Sequence, residues 1–201
     1  MQVIQSKVTD PSAMRAAGER WLERLAPGAT GWLGTTSGVT EDGRFILLAR
    51  FTSEDAAMRN SDRPEQGEWW TEASKLFDGD AEFKNSVAVD EDMVGDPGTA
   101  GFVQVVLGKE SDVYRARELM RQDPQAWSQL RPDLLGTLTV VHDNGELTTA
   151  AYFTSEDEAR AGESREVPAE MREEMAQIDA LTVGQPEYLD LKEPWLHAPK
   201  G

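Results

Sequence analysis

The chain of 201 residues contains no cysteine. That excludes disulfides, thiol nucleophiles and thiolate metal sites, and it fits a reducing, cytoplasmic setting. Histidine is nearly absent too. Only His142 and His197 occur, so there is no histidine cluster for zinc or non-haem iron, and no metal or other cofactor is expected. Positive charge is scarce: 20 Lys and Arg stand against 37 Asp and Glu, a net charge of −17. Phosphate binding needs clustered cations, so neither nucleic acid nor an anionic membrane surface is an expected partner. The acidity is even, with 10 basic and 18 acidic residues in 1–96 and 10 and 19 in 97–201. It reads as a solvated surface rather than a tail. No apolar run approaches the ~18 residues that span a bilayer. The opening MQVIQSKVTD lacks a basic segment followed by an apolar one, so no secretory leader is expected. The glycines form no phosphate loop, and no GxSxG elbow is present.

What the chain does have is a repeat. FTSED occurs at Phe51–Asp55 and again at Phe153–Asp157. At the same offset of 102, Val3 falls on Val105, Lys7 on Lys109 and Asp10 on Asp112. Leu33-Gly34-Thr35 falls on Leu135-Gly136-Thr137, Gly43 on Gly145 and Arg63 on Arg165. Collinear matches at one offset read as a tandem duplication. The expected organisation is a first repeat over 1–92, a linker over 93–101, a second repeat over 102–191 and an irregular tail over 192–201. The linker MVGDPGTAG is rich in Gly, Pro and Asp.

Each repeat shows one order of elements. In the first, Val3–Val8 alternates as a strand, and Asp10-Pro11 caps a helix that carries Met14, Ala17, Trp21 and Leu25 at helical spacing. Trp32–Val39 and Arg44–Phe51 form a hairpin around Glu41-Asp42-Gly43. Ser53 caps a second helix whose first turn is acidic, so FTSED is a strand-to-helix joint. That helix breaks near Pro64 and runs to about Phe77, and Ala81–Val87 closes the unit. The second repeat follows with Phe102–Gly108, a helix after Asp112, Leu134–Val141, a turn at Asp143-Asn144-Gly145 and Glu146–Phe153. A helix after Ser155, with a break near Pro168, and a strand near Leu181–Leu189 complete it. The order βαββαβ predicts an α+β fold of two tandem ferredoxin-like repeats. They are expected to pack sheet to sheet as an intramolecular, pseudo-dimeric α/β barrel, a monomer or at most a weak homodimer. A cavity between sheet and helices is expected in such a unit.

The segment RFTSEDAAMRNSDRPEQGEWW, Arg50–Trp70, resembles the signature region of dimeric α/β-barrel proteins of the antibiotic-biosynthesis-monooxygenase type. The resemblance covers the first repeat in motif and the second in architecture alone, where GESREVPAEMREEM stands instead. It implies a small aromatic or polyketide-like ligand. It also implies either oxygenation without metal or flavin, or a non-catalytic binding or stress-related module of the same fold with a side-chain-filled cavity. Haem-degrading members need a histidine on the helical segment, and the first repeat has none.

In that frame Asn60 takes the family's polar position, facing a substrate oxygen, or else simply ends its helix. Arg63 either holds an anionic or phenolic ligand or pairs with Asp62 or Glu65. Asn60 and Arg63 are the candidate catalytic residues. Trp32, Trp69 and Trp70 are candidates for stacking on a flat ligand, against a role in core packing. Adjacent helical residues diverge by about 100°, so at most one of Trp69 and Trp70 is expected to face inward. Glu68 and Glu72 share a helix face and read as solvated. The first repeat is the one expected to hold an open cavity, because the second lacks both the Asn and the Trp pair.

Overall fold

The computed structural model describes residues 1–120 and 124–199. The chain divides into two compact units. Met1–Val87 together with Glu193–Gly201 form unit 1, and Ala88–Lys192 form unit 2.

In unit 1, β1 (Gln2–Lys7) leads into α1 (Pro11–Arg24). The Asp10 carboxylate accepts a hydrogen bond from the Ala13 amide at 2.9 Å, and Pro11 takes the first turn, where its missing N–H costs nothing. β2 (Trp32–Val39) and β3 (Arg44–Phe51) have the bounds that alternation predicts. Then come α2 (Glu54–Ser61), α3 (Pro64–Ala73) and β4 (Glu82–Asn85). The Ser53 hydroxyl accepts from the Ala56 amide at 3.1 Å, the capping role that FTSED predicts. Arg63 lies in extended backbone because a residue before proline avoids the helical region, so α2 and α3 are separate helices.

Unit 2 starts with β5 (Val89–Met93), followed by β6 (Phe102–Lys109), α4 (Val113–Met120) and α5 (Pro124–Leu130). It continues through β7 (Leu134–Val141), β8 (Glu146–Phe153), α6 (Glu156–Glu163), α7 (Ala169–Asp179) and β9 (Glu187–Leu191). β9 begins six residues later than expected. Gly184 sits at φ +78 and Pro186 donates no hydrogen bond, so the chain enters the ladder only after both. A last strand, β10 (Trp195–His197), stands where an irregular tail was expected. No described helix is long and apolar enough to cross a membrane.

The two sheets are antiparallel, with orders β10-β2-β3-β1-β4 and β5-β7-β8-β6-β9. Four adjacent strands of each, β2-β3-β1-β4 and β7-β8-β6-β9, give the ferredoxin-like order, so the α+β, ferredoxin-like assignment stands. The fifth strands are an addition. β5 lies at the end of the 1–92 span expected for the first repeat but pairs with β7, and β10 follows the second repeat but pairs with β2.

Gly34 and Gly136 make that exchange possible. They have φ values of +142 and +151 and sit at a register shift in β2 and β7. A Cβ on Gly34 would lie 2.7 Å from the His197 carbonyl oxygen, and one on Gly136 would lie 2.7 Å from that of Asp92. The repeated Leu-Gly-Thr is therefore the seat of an incoming edge strand.

Candidate functional site

Unit 1 contains a cavity of about 300 Å³ between its sheet and its helices. β3 presents Phe45, Leu47, Ala49 and Phe51 to it at alternate positions, and β2 presents Thr35 and Ser37 likewise and Trp32 from beyond the register shift. α1 contributes Met14, Arg15 and Trp21, and α3 contributes Gln66, Trp69 and Trp70. β10 brings Trp195 and His197. Five of the chain's six tryptophans thus line one cavity.

The indoles are held by one another and by hydrogen bonds. Trp21 meets Trp32 edge to face at 5.2 Å, and Trp70 meets Phe83 at 5.2 Å and Phe77 at 5.7 Å. The Trp69 indole N–H donates to the Ala17 carbonyl at 3.0 Å, and that of Trp32 to the Thr35 hydroxyl at 3.1 Å. Both Trp69 and Trp70 face the cavity. This corrects the expectation that only one would: Trp69 is tethered across to α1, while Trp70 leans the other way onto Phe77 and Phe83.

Asn60 lies in the last turn of α2, is buried and lines the cavity, so the helix-end and cavity-facing readings both describe it. Arg63 does not line the cavity. Its guanidinium donates to the Leu25 carbonyl at 3.1 Å, to Asn60 Oδ1 at 3.0 Å and to Glu65 at 2.9 Å. Arg63 therefore binds the protein rather than facing the cavity directly. It also fixes the Asn60 amide. Guanidinium only donates, so the atom facing it is the oxygen and the NH₂ points away.

The same logic fixes Gln66, which sequence reasoning missed. The Trp21 indole N–H donates to Gln66 Oε1 at 2.7 Å, and the Asn60 NH₂ donates to the same oxygen at 3.5 Å. An indole only donates, so the Gln66 oxygen is committed and its NH₂ is left as a donor. The Gln66 NH₂ and the second N–H of Asn60 thus remain as donors side by side in an aromatic cavity, with both amide oxygens committed to other partners. The spacing of Gln66 from Trp69 and Trp70 along α3 was the available signal.

His197 was missed as well. Its imidazole lines the cavity and makes no hydrogen bond among the described residues. Burial pushes its pKa down; Glu19 opposes the shift and Arg15 adds to it. Nothing near Trp195-Leu196-His197 in sequence marks it as part of a site, because the tail reaches the cavity only through β-pairing.

Two glycines keep the cavity open. Gly18 in the middle of α1 and Gly67 in α3 both line it, and a Cβ on either would meet no atom within 4 Å. Glycine inside a helix costs about 0.5–1 kcal/mol relative to alanine. Gly18→Ala and Gly67→Ala are each expected to raise stability by about that amount in chemical denaturation while lowering affinity for cavity ligands. Unchanged ligand affinity in both would show that the glycines do not shape the site.

Among the described residues no group of three or more His, Asp or Glu side chains could hold a metal ion. No family model matches the chain, and no curated protein matches it. Solved structures do share its fold. A candidate monooxygenase from Lactobacillus acidophilus NCFM matches at a TM-score of 0.70 with 10% identity, over 98% of this chain and 97% of that one. A candidate monooxygenase from Fusobacterium nucleatum matches at 0.72 with 9% identity, over 100% and 94%. An anthrone oxidase-like protein matches at 0.60 with 10% identity, over 97% and 92%. The fold is the one to which the Arg50–Trp70 segment points.

Proposed function

We propose that unit 1 binds a flat, electron-rich hydroxyarene between its tryptophans, with the amides of Asn60 and Gln66 donating to one oxygen of the ligand. The observation that carries this reading is the pair of oriented donors in a cavity walled by indoles. Its volume of about 300 Å³ is at the small end of the roughly 300–1,000 Å³ of ligand pockets, and it leaves the tryptophans as walls rather than a plug. The side-chain-filled module is therefore the weaker reading. Arg63 acts here as a positioning residue for Asn60 rather than as a ligand contact.

The chemistry that suits this site is cofactor-free oxygenation, and the anthrone oxidase-like neighbour supports a polycyclic phenol as its class of substrate. The substrate anion passes one electron to dioxygen, the two radicals combine at carbon, and the hydroperoxide loses water to leave a carbonyl. One oxygen atom enters the product, and the other leaves as water with the two hydrogens lost from substrate carbon and hydroxyl. Asn60 and Gln66 stabilise the negative oxygen, and the indoles exclude water, which strengthens those hydrogen bonds.

Titration of intrinsic fluorescence with anthrone and hydroxynaphthalenes tests the site, because five of six tryptophans report on it. Saturable quenching is expected, with Asn60→Ala weakening affinity by about ten-fold, the worth of one charge-assisted hydrogen bond. Oxygen consumption with anthrone then tests the chemistry. Binding without oxygen consumption would make the chain a carrier. Absence of quenching by every aromatic tried would end the reading.

A further inference from the structure

We infer that His197 accepts the hydrogen of a ligand hydroxyl, so that the cavity selects arenes with a free O–H over the same rings without one. The inference rests on the binding reading above and adds a residue that neither the Arg50–Trp70 motif nor the first repeat contains.

The placement comes from the strand register. β10 runs antiparallel to β2 with Trp195 opposite Ser37 and His197 opposite Thr35. Strand side chains alternate, so Trp195 and His197 share the cavity face and Leu196 takes the other. The Ser37 hydroxyl donates to the Trp195 carbonyl at 3.4 Å, which adds a side-chain tie to the ladder. The tail thus delivers one indole for stacking and one imidazole for hydrogen bonding. A neutral imidazole has one donor and one acceptor nitrogen. No described side chain uses either.

Among the described residues the charged groups around it come from α1, β3 and the tail. On α1, Arg15 and Glu19 lie 3.6 Å apart, and Arg15 also reaches Glu193 of the tail at 3.8 Å. On β3, the Arg50 guanidinium lies 3.3 Å from where a Gly34 Cβ would stand, beside the His197 carbonyl. Among the described residues no carboxylate bonds the ring, and burial favours its neutral form. Neutral imidazole accepts; imidazolium cannot. In the oxygenation reading this makes His197 the base. The substrate O–H bond breaks, the electron pair stays on oxygen, and the proton goes to the imidazole nitrogen, leaving the anion that reduces dioxygen.

The test compares 2-naphthol with 2-methoxynaphthalene, which has the same rings and no proton to give. Wild-type protein is expected to prefer the naphthol by about five-fold, one net hydrogen bond, at about pH 7.5. That preference should weaken as pH falls below the ordinary histidine range of about 6.5, because burial lowers the pKa of the imidazole and acid finally protonates its acceptor nitrogen. His197→Leu should abolish the preference at every pH. His197→Gln should keep it, since a carboxamide accepts, and lose its pH dependence. Circular dichroism confirms that each variant is folded. Equal preference in wild type and His197→Leu, or an unchanged pH profile in His197→Gln, overturns the inference and leaves the binding reading standing. If neither naphthalene binds wild-type protein, both fall.

Discussion

Gly34→Ala is expected to detach the tail from unit 1 and to remove Trp195 and His197 from the cavity together. The new Cβ would stand 2.7 Å from the His197 carbonyl oxygen, which is backbone and cannot swing aside. The residue also sits at φ +142, where an L side chain is strained. Strain and overpacking each cost on the order of 1–3 kcal/mol, so about 3 kcal/mol is the expected loss. β10 has three residues, and its ladder with β2 cannot hold against that. Two observations follow. Limited proteolysis should cut the chain near Lys192–Trp195 in the variant and not in wild type. Affinity for 2-naphthol should fall, and its preference over the methyl ether should vanish as in His197→Leu. A variant with a protected tail and unchanged binding would show that β2 relaxes around the methyl group, and the seat assigned to this glycine would be wrong.

The parts of this design that sequence reveals are those written locally. β2, β3, β7 and β8 have the expected bounds because alternation and a turn glycine fix both ends of each hairpin. The serine caps of α2 and α6 fall where FTSED puts them. β5 was hidden because Val89-Asp90-Glu91-Asp92 carries residues that strands disfavour, and its pairing with β7 is a tertiary gain that overrides propensity. β10 was hidden because it is only three residues long and is flanked by Pro194 and Pro199. The cavity was half legible. Trp32, Trp69, Trp70 and Asn60 lie within the motif region or the first hairpin, but Gln66 acquires its role from the Trp21 indole on another helix, and Trp195 and His197 from a strand added at the sheet edge. Of the two readings of Arg63, the pairing with Glu65 is present, and its contacts to Leu25 and Asn60 depend on helix ends that only the fold brings together.

The second repeat shows what replaces the amide site when it is absent, and it yields the largest expected stability effect. At the offset of 102, Asn60 becomes Gly162, Ala29 becomes Arg131 and Gly31 becomes Asp133. A Cβ on Gly162 would lie 2.5 Å from Arg131 Nε, so the guanidinium occupies the space that a side chain there would need. Arg131 bonds the buried Asp133 carboxylate through two nitrogens at 2.7 and 3.1 Å, donates to the Ala159 carbonyl at 3.3 Å and lies 5.0 Å over the Phe153 ring. Arg165, the counterpart of Arg63, approaches the same carboxylate at 3.5 Å. The Asp133 side chain is only 2% exposed. Asp133→Ala is therefore expected to cost about 3–5 kcal/mol, because it strands an arginine in a site built for a pair. In a chain of this size that is a fall in Tm of roughly 6–20 °C. The triple variant Arg131→Ala, Asp133→Gly, Gly162→Asn reproduces the residues of the first repeat and leaves no buried charge alone. It should be more stable than Asp133→Ala, with Arg165 bonding the new amide as Arg63 bonds Asn60. A Tm for the triple variant below that of the single one would show that the two repeats differ by more than this exchange of an ion pair for an oriented amide.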